Sequence, residues 1–411
     1  MTCTLRAIPS LARNRGPAGF LLGFALLLFA LPAAPQTEDP TLDAPVRFLI
    51  ESITVEGVDR PATREIVAKE SRIAPGSEVD EEDLRQAIYR VKRLPFVVDA
   101  DFALRKGSER GRYELVIRIE MASSIFADLG AGTQRVRGAY SYGRETDWFG
   151  TVGARRFVGA RGYAFGSIDR DRNLQLGYTQ FHLFGPGSYL STVVNSNLED
   201  ESNAYSLALS AGKPITARQV LRAVASYGDS GSTRVIFRSI ALEWSFDSTD
   251  DPLLPTQGET LSASAGYGDS RASFVDFPFF TQSRSRQVGA LARRYRSLAP
   301  RQSVWGELSG SWNEVSFLAG SEFFGSSRYS FESGSAVAGY SWDLIRSQVG
   351  EPRNDLRFTA QARLDVQSNA LVAGLDPRVL SLETALIYRR PQGSIRLSFK
   401  YVDPSRRRLF Q

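Results

Sequence analysis

The stretch Phe246-Asp-Ser-Thr-Asp-Asp-Pro-Leu-Leu-Pro-Thr-Gln-Gly258 ends one strand-like run and begins another. Two prolines, a closing glycine and three carboxylates (Asp247, Asp250 and Asp251) suit a chain reversing direction in water. The flanks alternate. Ile236, Ile240, Leu242, Trp244 and Phe246 share one face before the turn, and Leu261, Ala263, Ala265 and Tyr267 share one face after it. A polar turn between two such strands is the pattern of a transmembrane β-barrel at its short-turn end.

The same pattern extends outward from that turn. From Ser124 onward helical periodicity disappears, and short alternating runs are separated by clusters of Gly, Asp, Asn, Ser and Pro. Leu356, Phe358, Ala360, Ala362 and Leu364 oppose Arg357, Thr359, Gln361, Arg363 and Asp365, and Ile395, Leu397, Phe399 and Tyr401 oppose Arg396, Ser398 and Lys400. A soluble sandwich would alternate too. Strands of spanning length and a polar face carrying charges of both signs favour a barrel with a wet interior. Trp244, Trp305, Trp312, Trp342 and Tyr340 are candidates for aromatic girdles.

Residues 1–34 read as a secretory signal, with Arg6, Arg13 and Arg15 ahead of the apolar run Gly19 to Leu31 and the small-residue exit Pro32-Ala33-Ala34. Residues 35–46 read as a linker. Cys3 is the only cysteine of the 411 residues, so the mature chain is expected to hold neither disulfides nor cysteine metal sites. The formal charge of +5 falls to +2 (5 − 3) without the three signal arginines, too balanced to imply nucleic acid. No phosphate loop or other cofactor motif is visible, and none is expected.

Residues 47–122 differ in character. Phe48 to Val55 alternates as a strand, Pro61 to Ile73 reads as a helix with proline in its first turn, and Asp80 can cap a second helix from Glu81 to Arg93. Strands are expected at Phe96 to Leu104 and Arg112 to Met121, giving the order β-α-α-β-β. The whole is then an α+β domain followed, over 123–411, by an antiparallel transmembrane β-barrel.

These two parts together resemble the Omp85 superfamily, the BamA/TamA-type, surface-antigen-D15-like outer-membrane proteins. Ile50-Glu-Ser-Ile-Thr-Val-Glu-Gly57, Ala74-Pro-Gly-Ser-Glu-Val79 and Arg93-Leu-Pro-Phe-Val-Val98 resemble a single POTRA domain. Asp247, Asp250, Asp251, Pro255 and Gly258 resemble the family's Asp-rich, Pro-Thr-x-Gly turn, and Asp147-Trp-Phe-Gly150 is similar to an early periplasmic turn. The family's lumen-loop motif is matched at Arg328, although Tyr329 stands where it has glycine. Asp365 matches the acidic partner, although Gln367 departs from the pattern. The resemblance implies an Arg328–Asp365 tether. It also implies sixteen strands, with 394–402 as the penultimate one, unless 152–167 divides near Val158-Gly159.

The resemblance further implies an outer-membrane protein, its POTRA domain in the periplasm, that assists insertion, assembly or translocation of client proteins. Phe96, Val97 and Val98 would begin an edge strand that receives an extended client. The barrel's first strand, holding Gly130 and Gly132, would form an openable seam with the last. Implied partners are outer-membrane lipid and lipopolysaccharide, unfolded clients, and periplasmic chaperones or accessory lipoproteins. A passive or specialised pore is the alternative. An enzyme is not expected. Gly228-Asp229-Ser230-Gly231 mimics a serine-nucleophile motif and His182 is the single histidine, but a triad needs a base positioned by an acid around a formed oxyanion hole, and Gly228 to Ser232 reads better as a polar surface loop after a strand. His182 reads better as a rim residue beside Phe181 and Phe184. Val136-Arg-Gly138 and Arg161-Gly-Tyr163 read as ordinary strand residues.

Overall fold

The computed structural model describes residues 46–137, 142–198, 204–216, 218–230, 235–252, 254–273, 280–318, 327–347, 354–369 and 378–404. The signal and nearly all of the linker expected from the sequence lie outside them.

The α/β unit runs β1 (Phe48–Glu56), α1 (Pro61–Ser71), β2 (Glu78–Val79), α2 (Glu81–Lys92), β3 (Val97–Lys106) and β4 (Arg112–Met121). Proline opens α1, where its missing N–H is harmless. Arg72, in the left-handed region at φ 57°, closes it. A capping box starts α2: Asp83 N–H donates to Asp80 Oδ1 at 2.9 Å, and Asp80 N–H donates back to Asp83 Oδ2 at 3.2 Å. The sheet order is β2-β1-β4-β3, with β1 parallel to β4. Ile66 and Val67 of α1, Leu84 and Val91 of α2, and Ile50, Leu115 and Ile117 of the sheet fill the core. The two-residue β2, which pairs with Phe48 and Leu49, is too short to leave a periodic signal.

The remaining strands close into a barrel: β5 (Ile125–Arg137), β6 (Tyr142–Val158), β7 (Gly162–Asp169), β8 (Asn173–Phe181), β9 (Tyr189–Asn197), β10 (Tyr205–Pro214), β11 (Gln219–Asp229), β12 (Val235–Asp247), β13 (Gly258–Ser273), β14 (Phe280–Ala299), β15 (Gln302–Leu318), β16 (Ser327–Ile345), β17 (Asp355–Asn369), β18 (Arg378–Arg390) and β19 (Gly393–Pro404). Among the described residues the barrel has 15 strands, not the sixteen expected. An odd number of alternating strands makes the first and last run the same way, so β19 closes on β5 in parallel.

Strand boundaries explain the count. The 152–167 run does divide, at Gly159 with φ 65°, but Asp147 to Gly150 is not a turn. Those four residues lie within β6, where Asp147 pairs with Gly132 and Phe149 with Gly130. An aromatic ring facing a glycine across the ladder, Phe149 against Gly130, continues the strand through a sequence that reads as a break.

The register sorts the described side chains into two faces. Leu364, Leu382, Leu397, Phe399, Ile240 and Leu242 are exposed on the outward face. The inward face carries ion pairs between adjacent strands: Arg222–Glu243, Arg293–Glu307, Arg357–Asp343 and Arg396–Glu383. Serine hydroxyls pair beside them, as in Ser303–Ser341 and Ser309–Ser335, each at 2.7 Å. Trp305 belongs to this inward set, because it pairs with Gly339 and lies under the Arg293 guanidinium. Trp244, Trp312, Trp342 and Tyr340 take the opposite parity and face outward.

Candidate functional site: the seam and the docked α/β unit

The seam joins β5 and β19 over the pairs from Gly393↔Ala127 to Val402↔Val136, the single parallel pairing in the barrel among the described residues. Ala127 N–H donates to Gln392 O at 2.8 Å, and Ser123 N–H to Pro391 O at 3.1 Å. Arg155 bridges both sides, its Nε on Ser123 O at 2.6 Å and its Nη2 on Pro391 O at 3.2 Å. The Ser394 hydroxyl donates to Asp128 at 2.7 Å. Gly393 permits this closure: at φ 143°, a Cβ there would lie 1.8 Å from Ala127 O.

Gly130 and Gly132 lie on β5 beside this seam, but they do more than thin the strand. The Phe149 ring occupies the space of the Gly130 Cβ, with a ring carbon 2.0 Å from that position. At Gly132 the Ser398 hydroxyl would meet a Cβ at 2.7 Å. Both glycines therefore let neighbouring side chains lie over the backbone.

The α/β unit seats on the barrel through the Asp-rich turn. Asp250 staples the turn, accepting from the backbone N–H groups of Thr256 at 2.8 Å and Gln257 at 3.0 Å. Asp247 accepts from Thr249 N–H at 3.1 Å. Pro255 lies within the loop they close, half-buried, and Gly258 ends it at φ 97°, where a Cβ would approach Ser248 O to 2.4 Å. Asp251 faces the unit and accepts from Lys92 Nζ of α2 at 3.1 Å and from Arg346 at 3.3 Å. Lys92 also donates to Asp99 of β3 at 3.0 Å. Burial by itself would pull the Lys92 ammonium down, but the Asp251 and Asp99 carboxylates outweigh it and hold its pKa above the ordinary lysine value. Tyr89 meets Thr249 Oγ1 at 3.4 Å; burial first, then Asp247, pushes its phenol well above the usual tyrosine range.

Other turns of the same barrel end complete the dock. Arg218 pairs with Glu82 at 3.0 Å, Arg161 with Glu65 at 3.7 Å, and His182 Nε2 with Glu70 at 3.1 Å. A groove of about 760 Å³, lined in part by Ile53, Ala68, Arg72, Pro186 and Pro214, runs between α1 and these turns. Arg161 is thus a turn residue rather than a strand residue, and His182, 6% exposed at φ 56°, sits under α1 rather than on an open rim.

Phe96 precedes β3 and is 1% exposed, so it is no part of an accessible edge. Its ring packs on Phe157, Tyr163 and Phe181, centroids 4.8, 5.9 and 5.8 Å away, all on inward-facing positions of β6–β8. Val97 and Val98 do lie on β3, an outermost strand of its sheet, where Val97 is buried and pairs with Met121. The sequence showed this short aromatic only as part of an edge strand, because its partners come from three distant strands.

The proposed Arg328–Asp365 tether falls on a side chain outside the described residues. Asp365 pairs with Ser335 across β16 and β17, and Arg328 lies seven residues (335 − 328) earlier on β16. That offset is roughly 23 Å of backbone along a strand. Asp365 instead accepts from Arg363 at 2.7 Å and lines an inward cleft of about 480 Å³ with Ser309, Ser311, Ser333 and Ser335. The Arg328 side chain and the segment preceding β16 lie outside the described residues. Ser230 follows β11 at the barrel end away from the dock, whereas His182 meets Glu70 of α1 at the docked end.

No protein-family model matches the chain, and no curated protein does. Among solved structures, the chain is similar to a BamA of Haemophilus ducreyi lacking POTRA domains 1–3, with a TM-score of 0.44 and 14% identity, covering 89% of this chain and 83% of that one. It is also similar to a loop L8 deletion mutant of OmpT, an outer membrane protein of Vibrio cholerae, with a TM-score of 0.36 and 10% identity, covering 65% of this chain and all of that one. The fold described above rests on its own strand pairing: a closed 15-stranded barrel with an α/β unit docked at its short-turn end.

Proposed function

We propose that the chain is an outer-membrane barrel of the Omp85 type, with the α/β unit a periplasmic POTRA domain, and that it assists insertion or translocation of client proteins. The observation that carries this reading is the seam. A closed barrel whose neighbours all pair antiparallel is joined at one place by a parallel ladder, the slightly weaker kind per residue. The apolar outward face and ion-paired inward face support burial in lipid around a wet interior. A client strand would enter by replacing β5–β19 hydrogen bonds with its own. Strand β3, outermost in its sheet, would receive the client first. No nucleotide takes part in this scheme; client folding and lipid burial drive it. Periplasmic chaperones or accessory lipoproteins would deliver the client.

The test uses cysteines at the register partners Ala131 and Leu397, which lie across the seam. Vesicles containing the oxidised protein should fail to speed folding of a denatured outer-membrane barrel, and reductant should restore the effect. Equal assistance from oxidised and reduced protein, together with unchanged outer-membrane and secreted proteomes on deletion, would overturn the proposal.

A further inference from the structure

We infer that the outward face of β12–β14, at the barrel end away from the α/β unit, binds the headgroup of a phosphorylated sugar lipid. The inference rests on the membrane-barrel reading above and names a lipid contact for it. Register places Arg238, Asp269 and Arg284 side by side on three adjacent strands. Arg271 follows Asp269 by one outward position on β13, and Arg286 follows Arg284 by one on β14. All four arginines are exposed. Arg238 lies over the Tyr227 ring at 5.8 Å, and Arg286 reaches Glu314 at 4.0 Å.

Their height matches a lipid boundary. On β14 the outward positions between Arg286 and Arg294 are Val288, Ala290 and Ala292. Eight residues (294 − 286) on a strand tilted about 40° rise roughly 21 Å, close to the ~25 Å apolar band of such barrels once the arginines snorkel. Arg294 marks the end beside the dock and Arg286 the far end, so Arg238, Arg271 and Arg284 stand at headgroup level in the distal leaflet.

The chemistry selects the ligand. Guanidinium forks bind phosphate oxygens in pairs, and strands ~4.8 Å apart set Arg238 and Arg284 about 10 Å apart, a spacing that brackets one headgroup. Asp269 between them repels a bare phosphate but accepts a hydrogen bond from a sugar hydroxyl. A phosphorylated glycolipid satisfies both demands, whereas inorganic phosphate and zwitterionic phospholipid satisfy one at most.

The experiment titrates the full chain, in neutral detergent, with diphosphoryl lipid A, with phosphatidylcholine and with inorganic phosphate, read by native mass spectrometry. Lipid A should bind preferentially and more weakly at high salt. The combined Arg238→Gln, Arg271→Gln and Arg284→Gln variant should lose at least tenfold in affinity, and Arg284→Gln alone roughly fivefold. Arg294→Gln, at the opposite boundary, should stay within twofold. Equal binding by the triple variant, equal binding of phosphatidylcholine, or competition by millimolar phosphate would overturn the inference. Heat-modified gel mobility of each preparation shows whether the variant is folded. Alkali-resistant membrane association tests the barrel reading separately: if it fails, both readings fall, and if it holds while the triple variant binds normally, only this one does.

Discussion

Lys92, the last residue of α2, donates to Asp251 in the turn between β12 and β13, 3.1 Å away and 159 residues later in the chain. The side chains are 15% and 9% exposed, so the pair is shielded from water. It ties the α/β unit to the turn whose spelling is the most specific in the sequence. Asp251→Asn leaves Lys92 with Asp99 but removes the charge that crosses the boundary. The expected cost is about 1–3 kcal/mol, read as faster proteolysis of the 122–124 connection while the barrel keeps its heat-modified mobility.

The dock should also weaken in alkali. Lys92 and Tyr89 both have folded pKa values raised above their ordinary ones. A group raised on folding contributes stability that is complete below its unfolded pKa and is lost as pH rises through the folded one. Docking should therefore hold up to about pH 10 and loosen above it. Lys92→Met should flatten that dependence; an unchanged alkaline profile in the variant would refute the assignment.

Phe96→Ala should separate the two parts of the molecule energetically. Emptying a site ringed by Phe157, Tyr163 and Phe181 costs roughly 3–5 kcal/mol. The loss should appear as protease sensitivity of the α/β unit, with the barrel's own melting unaltered.

At the seam, Gly393→Ala should lower the barrel's heat resistance on gels, since the added carbon would collide with Ala127 O in a backbone region closed to alanine. Gly266→Ala, remote from the seam, has the movable Gln287 side chain as its nearest neighbour and serves as the control.

Inside the barrel, Arg357→Met should destabilise it by about 3–5 kcal/mol, because Asp343, 3% exposed, would lose its partner in a poorly hydrated spot. Arg328→Ala and Asp365→Ala should leave the barrel's heat resistance unchanged, since backbone register pairs Asp365 with Ser335 and Arg363 already donates to it. A matched loss in both would instead establish the tether that the family resemblance implies.

The sequence by itself determined the two-part architecture, the capped helix at Asp80, the reversal from Asp247 to Gly258, and which residues of most strands face outward. These are local properties: a period of two, a cap and a turn are each written within a dozen residues. It misplaced a turn at Asp147 to Gly150, because whether that segment reverses or continues depends on Gly130 and Gly132 lying opposite. It missed Phe96 and His182 as docking residues for the same reason. Closure, register and the seat of one part on the other are set by partners tens to hundreds of residues away, and only the tertiary structure decided them.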